Sequence, residues 1–169
     1  MKEAYFLFEN ELGWMGIRGF EGRLTRLVLP KPSRDDAKVA LLAGAMHEAV
    51  ETNFDFSGVA EQVLAYFRRV PVDFECLVEL EGASDFDKAV WAAAREVGYG
   101  TTTSYGNIAR RIGLPAGARA VGRALGRNRV PLIIPCHRIV CSDGSLGGFA
   151  DGLDWKQRLL RIEGQILRG

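Results

Sequence analysis

Apolar and polar residues alternate along the first thirty positions and then recur every three or four. Residues 5–8, 14–18 and 24–29 read as three short strands, with turns at 10–13 and 19–22. Pro30 and Pro32 close this sheet segment. Ser33 is placed to cap a helix, with Asp35 and Asp36 in its first turn. Val39, Leu42, Ala43, Met46, Ala49 and Val50 then recur at helical spacing. A short helix follows near 60–69, and Pro71 ends it. The pattern predicts a small α+β domain over 1–81, an antiparallel sheet plus helix.

A linker at 81–84 leads into a second domain, 82–169, that reads as mainly helical. Ser84 or Asp85 can cap a helix carrying Phe86, Ala89, Val90, Ala93 and Val97, and Tyr99-Gly100 stops it. Residues 104–112 and 118–127 read as two more helices around the turn Gly113-Leu114-Pro115-Ala116-Gly117. Helix, short glycine-bearing turn, helix is the pattern of a helix-turn-helix. Trp155, Leu159 and Ile162 mark the apolar face of a last helix, stopped at Gly164. The predicted class is therefore α+β.

Charge divides the chain where the pattern does. Up to Ala83 there are 9 basic and 14 acidic residues; after it there are 13 basic and 7 acidic. From Arg110 to Arg138 there are seven arginines and no acid. The second half is the one a phosphate backbone would attract. Three cysteines suggest no disulfide framework. Acids near the start, where a signal peptide would be apolar, and the lack of a bilayer-length apolar run point to a cytoplasmic, non-membrane protein.

The chemistry centres on Pro135-Cys136-His137-Arg138, directly after the apolar run Val130-Pro131-Leu132-Ile133-Ile134. A thiolate is the attacking form of cysteine, and an adjacent base makes it available at neutral pH. Taken alone, the tetrapeptide reads equally as a buried cysteine beside a surface histidine. Taken singly, Tyr105 reads as a core aromatic, Glu163 as a solvated helix-end acid and Arg119 as a surface charge. Cys76, Cys141 and His47 are read as structural, and Lys156 as a solvated helix residue, with a place near the pocket as the alternative. Ser142 and Ser145 flank the segment after the cysteine. Zinc spacing is absent, so no metal is expected.

The residues together resemble a known family. Ile134-Pro135-Cys136-His137-Arg138-Ile139-Val140, Tyr99-Gly100, the run Thr103 to Ala109, Arg119-Ala120-Val121-Gly122, Asn128, Gly147-Gly148-Phe149 and Glu163-Gly164 are similar to the methylated-DNA–protein-cysteine methyltransferases, or O6-alkylguanine-DNA alkyltransferases. The resemblance is strong over 84–167 and loose before it.

It implies that Cys136 accepts an alkyl group. His137, through a water, would be the base, oriented by Glu163. Asn128 would hold the turn into the cysteine segment. Tyr105 would assist nucleotide rotation and give a proton toward the departing guanine. Arg119 would enter the base stack from a recognition helix kept thin by Ala118, Ala120 and Gly122, with Arg123 and Ser104 also facing DNA. Tyr105, Ile139, Phe149, Ala150 and Pro131 would form the pocket.

The implied partner is double-stranded DNA carrying alkylated bases, bound by a monomer without a cofactor. Transfer would occur once per chain, with O4-alkylthymine left open as a substrate. Three positions depart from the family pattern: Gly98 where proline is common, Phe149 where tyrosine is common, and Asp151 where glycine is frequent. A binding-only relative would lack the cysteine, so Cys136 argues against that class. A helix-turn-helix regulator would start its recognition helix with longer polar side chains. A thiol hydrolase would need a peptide or ester pocket, which nothing here resembles.

Overall fold

The computed structural model describes residues 2–45, 48–52 and 56–166. Its contacts fall into two compact units, Met1–Leu80 and Glu81–Gly169.

In the first unit, β1 (Glu3–Asn10), β2 (Gly13–Phe20) and β3 (Arg23–Lys31) form an antiparallel meander. Two short strands, β4 (Ala49–Glu51) and β5 (Leu77–Val78), add parallel edges in the order β4-β1-β2-β3-β5. The sheet is therefore mixed rather than antiparallel throughout.

Ser33 caps α1 (Arg34–Leu42), its Oγ accepting from the Asp36 amide at 3.1 Å. Period-two alternation in β1 turns Tyr5 and Leu7 toward α1, where they meet Val28, Ala37 and Leu41. Each such buried aliphatic contributes about 1.5–3 kcal/mol. α2 (Ser57–Phe67) lies against β1 and buries Ala60, Val63 and Tyr66.

The helix expected through Val50 ends at Leu42. Gly44 follows with φ +70°, a conformation that stops a helix, and Ala49 and Val50 pair in register with Glu3 and Ala4. Met46 and His47 lie outside the described residues.

The second unit is built from α3 (Asp85–Arg95), α4 (Tyr105–Arg111), α5 (Ala118–Gly126) and α6 (Leu153–Ile162). Sequence periodicity did not reveal its small parallel pair, β6 (Thr103–Ser104) with β7 (Ile139–Val140). Ser84 caps α3 through the Asp87 amide, and Ser104 caps α4 through the Asn107 amide, both at 3.1 Å.

α3 is locked to α5 at two points. Trp91 Nε1 donates to the Ala124 carbonyl at 2.9 Å, and Arg127 Nε donates to Asp87 Oδ2 at 2.9 Å. The buried stripe of α6 is Lys156, Leu159 and Leu160, so the helix is rotated from the predicted Trp155–Leu159–Ile162 face. Among the described residues no helix is long and apolar enough to cross a membrane.

Candidate active site

The backbone entering Cys136 is held by one side chain. After α5, Asn128 Oδ1 accepts from the Val130 amide at 2.9 Å. Its Nδ2 donates to the Ile134 carbonyl at 2.9 Å and lies 3.2 Å from Cys136 Sγ. Between these anchors Leu132 adopts φ +71°, a left-handed conformation costly for a branched side chain, and is buried. The Ile134 amide closes the turn on the Val130 carbonyl at 3.0 Å. Cys136 then opens a single 3-10 turn, Cys136–Arg138. Burial pushes its thiol up to about 11, opposed by the Asn128 contact and the nearby Lys156 charge. The resting group is the thiol, so a base must take its proton during reaction.

That base stands next in sequence. His137 is fully buried and its Nε2 lies 2.6 Å from Glu163 Oε1. Arg138 grips the same carboxylate, with Nε at 3.0 Å from Oε2 and Nη2 at 3.1 Å from Oε1, and donates through Nη1 to the Val97 carbonyl at 2.6 Å. The Gly100 amide donates to Glu163 Oε2 at 2.9 Å. Burial opposes ionisation of Glu163, but hydrogen bonds and charge from His137 and Arg138 outweigh it and hold the carboxyl at about 2. Burial lowers the His137 pKa, with Glu163 pulling the other way, so the imidazole rests neutral at pH 7.

Both shifts make acid destabilising. The Glu163 contribution is complete above the ordinary carboxyl value of 4.5 and is lost as pH falls toward 2. Below 6.5 the unfolded chain protonates its histidine while the folded chain resists, which adds a loss of the same sign. Thermal melts should show a falling Tm from about pH 6.5 downward. A Tm constant down to about pH 4 would contradict this electrostatic picture.

Cys136 borders a cleft of about 240 Å³ walled by Tyr105, Phe149 and Ala150, with Gly122, Leu125 and Gly126 of α5 along one side. The Tyr105 hydroxyl donates to the Gly148 carbonyl at 3.2 Å, and burial pushes its phenol up to about 12. Gly147 sits at φ +69°, where a Cβ would lie 2.7 Å from the Tyr105 hydroxyl. Glycine there lets the chain pass against the ring. Lys156 Nζ lies 3.2 Å from Tyr105 Oη.

Beside the cleft, α5 turns Arg119 and Arg123 to solvent, while Ala118, Ala120 and Gly122 are half-buried. The outward face therefore has long cations on a thin backbone, and Val121, Ala124 and Leu125 face inward.

These features coincide with clear relatives. Residues 85–165 match the family described as 6-O-methylguanine DNA methyltransferase, DNA binding domain. A methylated-DNA–protein-cysteine methyltransferase of Mycolicibacterium paratuberculosis is 45% identical over 159 residues, covering 94% of this chain and 91% of that one. One from Methanosarcina acetivorans is 44% identical over 160 residues, covering 95% and 97%. The chain belongs to the methylated-DNA–protein-cysteine methyltransferases.

Solved structures agree. The O6-methylguanine methyltransferase of Mycobacterium tuberculosis superposes with a TM-score of 0.78 at 34% identity, covering 95% of this chain and 92% of that one. A structure of Mycobacterium tuberculosis OGT in complex with DNA gives 0.77 at 33%, covering 95% and 93%.

In this methyltransferase, the structure brings Cys136, Asn128 and Tyr105 around the cleft and His137 onto Glu163. Phe149 and Ala150 line the cleft as expected, but Ile139 and Pro131 do not. Both are buried, and the Ile139 carbonyl instead accepts from Lys156. Ser104 spends its hydroxyl capping α4.

Lys156 is the chief correction. It is fully buried, not solvated. Arg138 is the other omission, a buried cation on Glu163. Its position beside His137 in the mostly apolar stretch from Val130 to Val140 was a usable sign, because a cation there needs a buried partner.

Proposed function

We propose that this protein repairs DNA by moving the alkyl group of O6-alkylguanine onto Cys136, once per chain. The observation that carries the reading is the cysteine thiol on a base-sized cleft whose flank is the arginine-bearing helix α5. Guanine O6 is inaccessible inside a duplex, so the nucleotide must swing out to reach that cleft, and an alkylated base, being poorly paired, swings out at less cost. The α4–turn–α5 segment acts as a helix-turn-helix, with α5 in the minor groove of double-stranded DNA. Ala118, Ala120 and Gly122 allow close approach, and Arg123 meets phosphate. Arg119 fills the gap in the stack.

In the reaction the Cys136 proton passes through water to His137, and Glu163 stabilises the resulting imidazolium. Sulfur then attacks the alkyl carbon in line. The S–C bond forms as the C–O6 bond breaks, and the bonding pair leaves with guanine. Tyr105 gives that base a proton. The thioether has no low-energy route back to a thiolate, so each chain acts once. We further propose that it works as a monomer in the cytoplasm and uses no cofactor.

Direct transfer leaves intact guanine in an unbroken strand. Duplex oligonucleotides carrying O6-methylguanine should therefore regain cleavage by a nuclease blocked by the lesion, with no abasic site and no nick. An abasic site or nick would contradict the reading. Arg119→Ala should slow repair of the duplex by about 10²-fold, for a lost intercalating side chain, while changing reaction with free O6-benzylguanine by less than about twofold. Equal losses on both substrates would remove Arg119 from base rotation.

A further inference from the structure

The cleft beside Cys136 is lined by glycines and by Tyr105, Leu125, Cys136, Phe149 and Ala150. Burial raises the phenol to about 12 and the thiol to about 11, so both rest neutral. Lys156 lies behind Tyr105, and its three ammonium donors already meet the Ile139 carbonyl, the Gly148 carbonyl and Tyr105 Oη. Among the described residues, the lining therefore offers an entering anion no cationic partner.

An acid stands at the edge instead. The Gly152 amide donates to the Phe149 carbonyl at 3.1 Å and closes a turn with Ala150 and Asp151 at its centre. Ala150 lines the cleft, and Asp151, next in the chain, is exposed. The Lys156 amide donates to the Gly152 carbonyl at 3.2 Å, which ties this turn to the start of α6. The Asp151 charge is felt at the Cys136 sulfur, where it opposes the thiolate.

The alkyl carbon under attack comes within bonding distance of that sulfur. Sulfur and O6 occupy the two ends of the reaction line, so any substituent on the carbon projects sideways toward the cleft walls. A charge that reaches the sulfur reaches that substituent too.

We propose that Asp151 sets the charge selectivity of the cleft: neutral alkyl groups on guanine O6 are accepted, and alkyl groups ending in a carboxylate, such as carboxymethyl, are disfavoured. This rests on the reading of Cys136 as the acceptor of an alkyl group from O6-alkylguanine. A carboxymethyl group would move by the same displacement as a methyl group. The S–C bond forms, the C–O6 bond breaks and the electron pair leaves on guanine. Only the charge is new. Two effects oppose it: the carboxylate loses water without gaining a cation, and it approaches the like charge of Asp151. The second effect is removable by one substitution outside the lining.

The test compares two lesions of similar shape and different charge, O6-carboxymethylguanine and O6-carbamoylmethylguanine, in the same duplex sequence. Single-turnover transfer rates are measured at neutral pH for wild type, Asp151→Asn and Asp151→Lys. O6-methylguanine duplex serves as the common reference, and each protein is melted. The quantity read is the ratio of the carboxymethyl rate to the carbamoylmethyl rate. A change in duplex affinity or thiol ionisation affects both lesions and cancels in that ratio. The intrinsic reactivity of the two groups is the same for all three proteins.

Asp151→Asn should raise the ratio by about fivefold, as for removal of one like charge near a protein surface. Asp151→Lys should raise it by about 25-fold, because the charge change is doubled. Both gains should shrink at high ionic strength, since Asp151 is exposed. A ratio that is the same in all three proteins, or that falls in Asp151→Lys, would overturn the proposal. The O6-methylguanine reference separates that result from failure of the repair reading. Wild type that moves no methyl group to Cys136 would sink that reading, and the proposal with it.

Discussion

Replacing Cys136 with alanine abolishes alkyl transfer and leaves the affinity for lesion-bearing duplex within about threefold of wild type, because phosphate contacts supply most of that affinity. The thiol is the acceptor, and the second unit contains one other cysteine, Cys141, outside the cleft lining. Little else changes on truncation. Asn128 keeps its bonds to the Val130 amide and the Ile134 carbonyl, so the turn into position 136 survives. The lost packing and the one weak contact to sulfur amount to about 1 kcal/mol. Transfer assays and binding titrations on the same preparation separate the two effects. Residual transfer would place the acceptor elsewhere. Loss of binding together with transfer would mean that Cys136 supports the fold rather than the chemistry.

Replacing Glu163 with alanine gives the largest loss of stability expected from one substitution in this unit. The carboxylate is the shared partner of His137, Arg138 and the Gly100 amide. Its removal leaves the Arg138 guanidinium buried with part of its donor set unmatched, a mechanism that costs about 3–5 kcal/mol. At about 2–4 °C per kcal/mol for a chain of this size, Tm should fall by about 10 °C. Glu163→Gln keeps the shape and one acceptor oxygen but removes the charge that favours an imidazolium. It should therefore fold better than the alanine variant and still transfer slowly. A Glu163→Ala protein with wild-type Tm would show that the Arg138–Glu163 contact contributes little. A Glu163→Gln protein with wild-type transfer rate would show that His137 needs no charged partner.

How much of this was legible in the sequence depends on the range of the interactions. Caps are local, so Ser33 and Ser84 announced their helices correctly. The three-strand meander was likewise visible, because alternation is written into consecutive residues. The first helix was overrun because Ala49 and Val50 fall by coincidence on its apolar phase. Their true partner is β1, more than forty residues away, and Gly44 was the stronger signal. Strands of two or three residues carry too little pattern to be seen at all.

In the site, Cys136, His137, Asn128, Tyr105 and Glu163 could be named because their motifs have a known counterpart, not because spacing alone joins residues 137 and 163. Lys156 was missed for a physical reason. A lysine on a helix is normally solvated, and what buries this one is a set of oxygens on Tyr105, Ile139 and Gly148, which no local pattern connects.

The most direct measurement is an intact mass of the protein after reaction with excess duplex carrying O6-methylguanine. Direct transfer gives one added methyl group per chain, located in the peptide containing Cys136 and never exceeding one equivalent however long the incubation. Lesion-selective binding with no mass change, or lesion removal exceeding one equivalent per chain, would contradict the central claim.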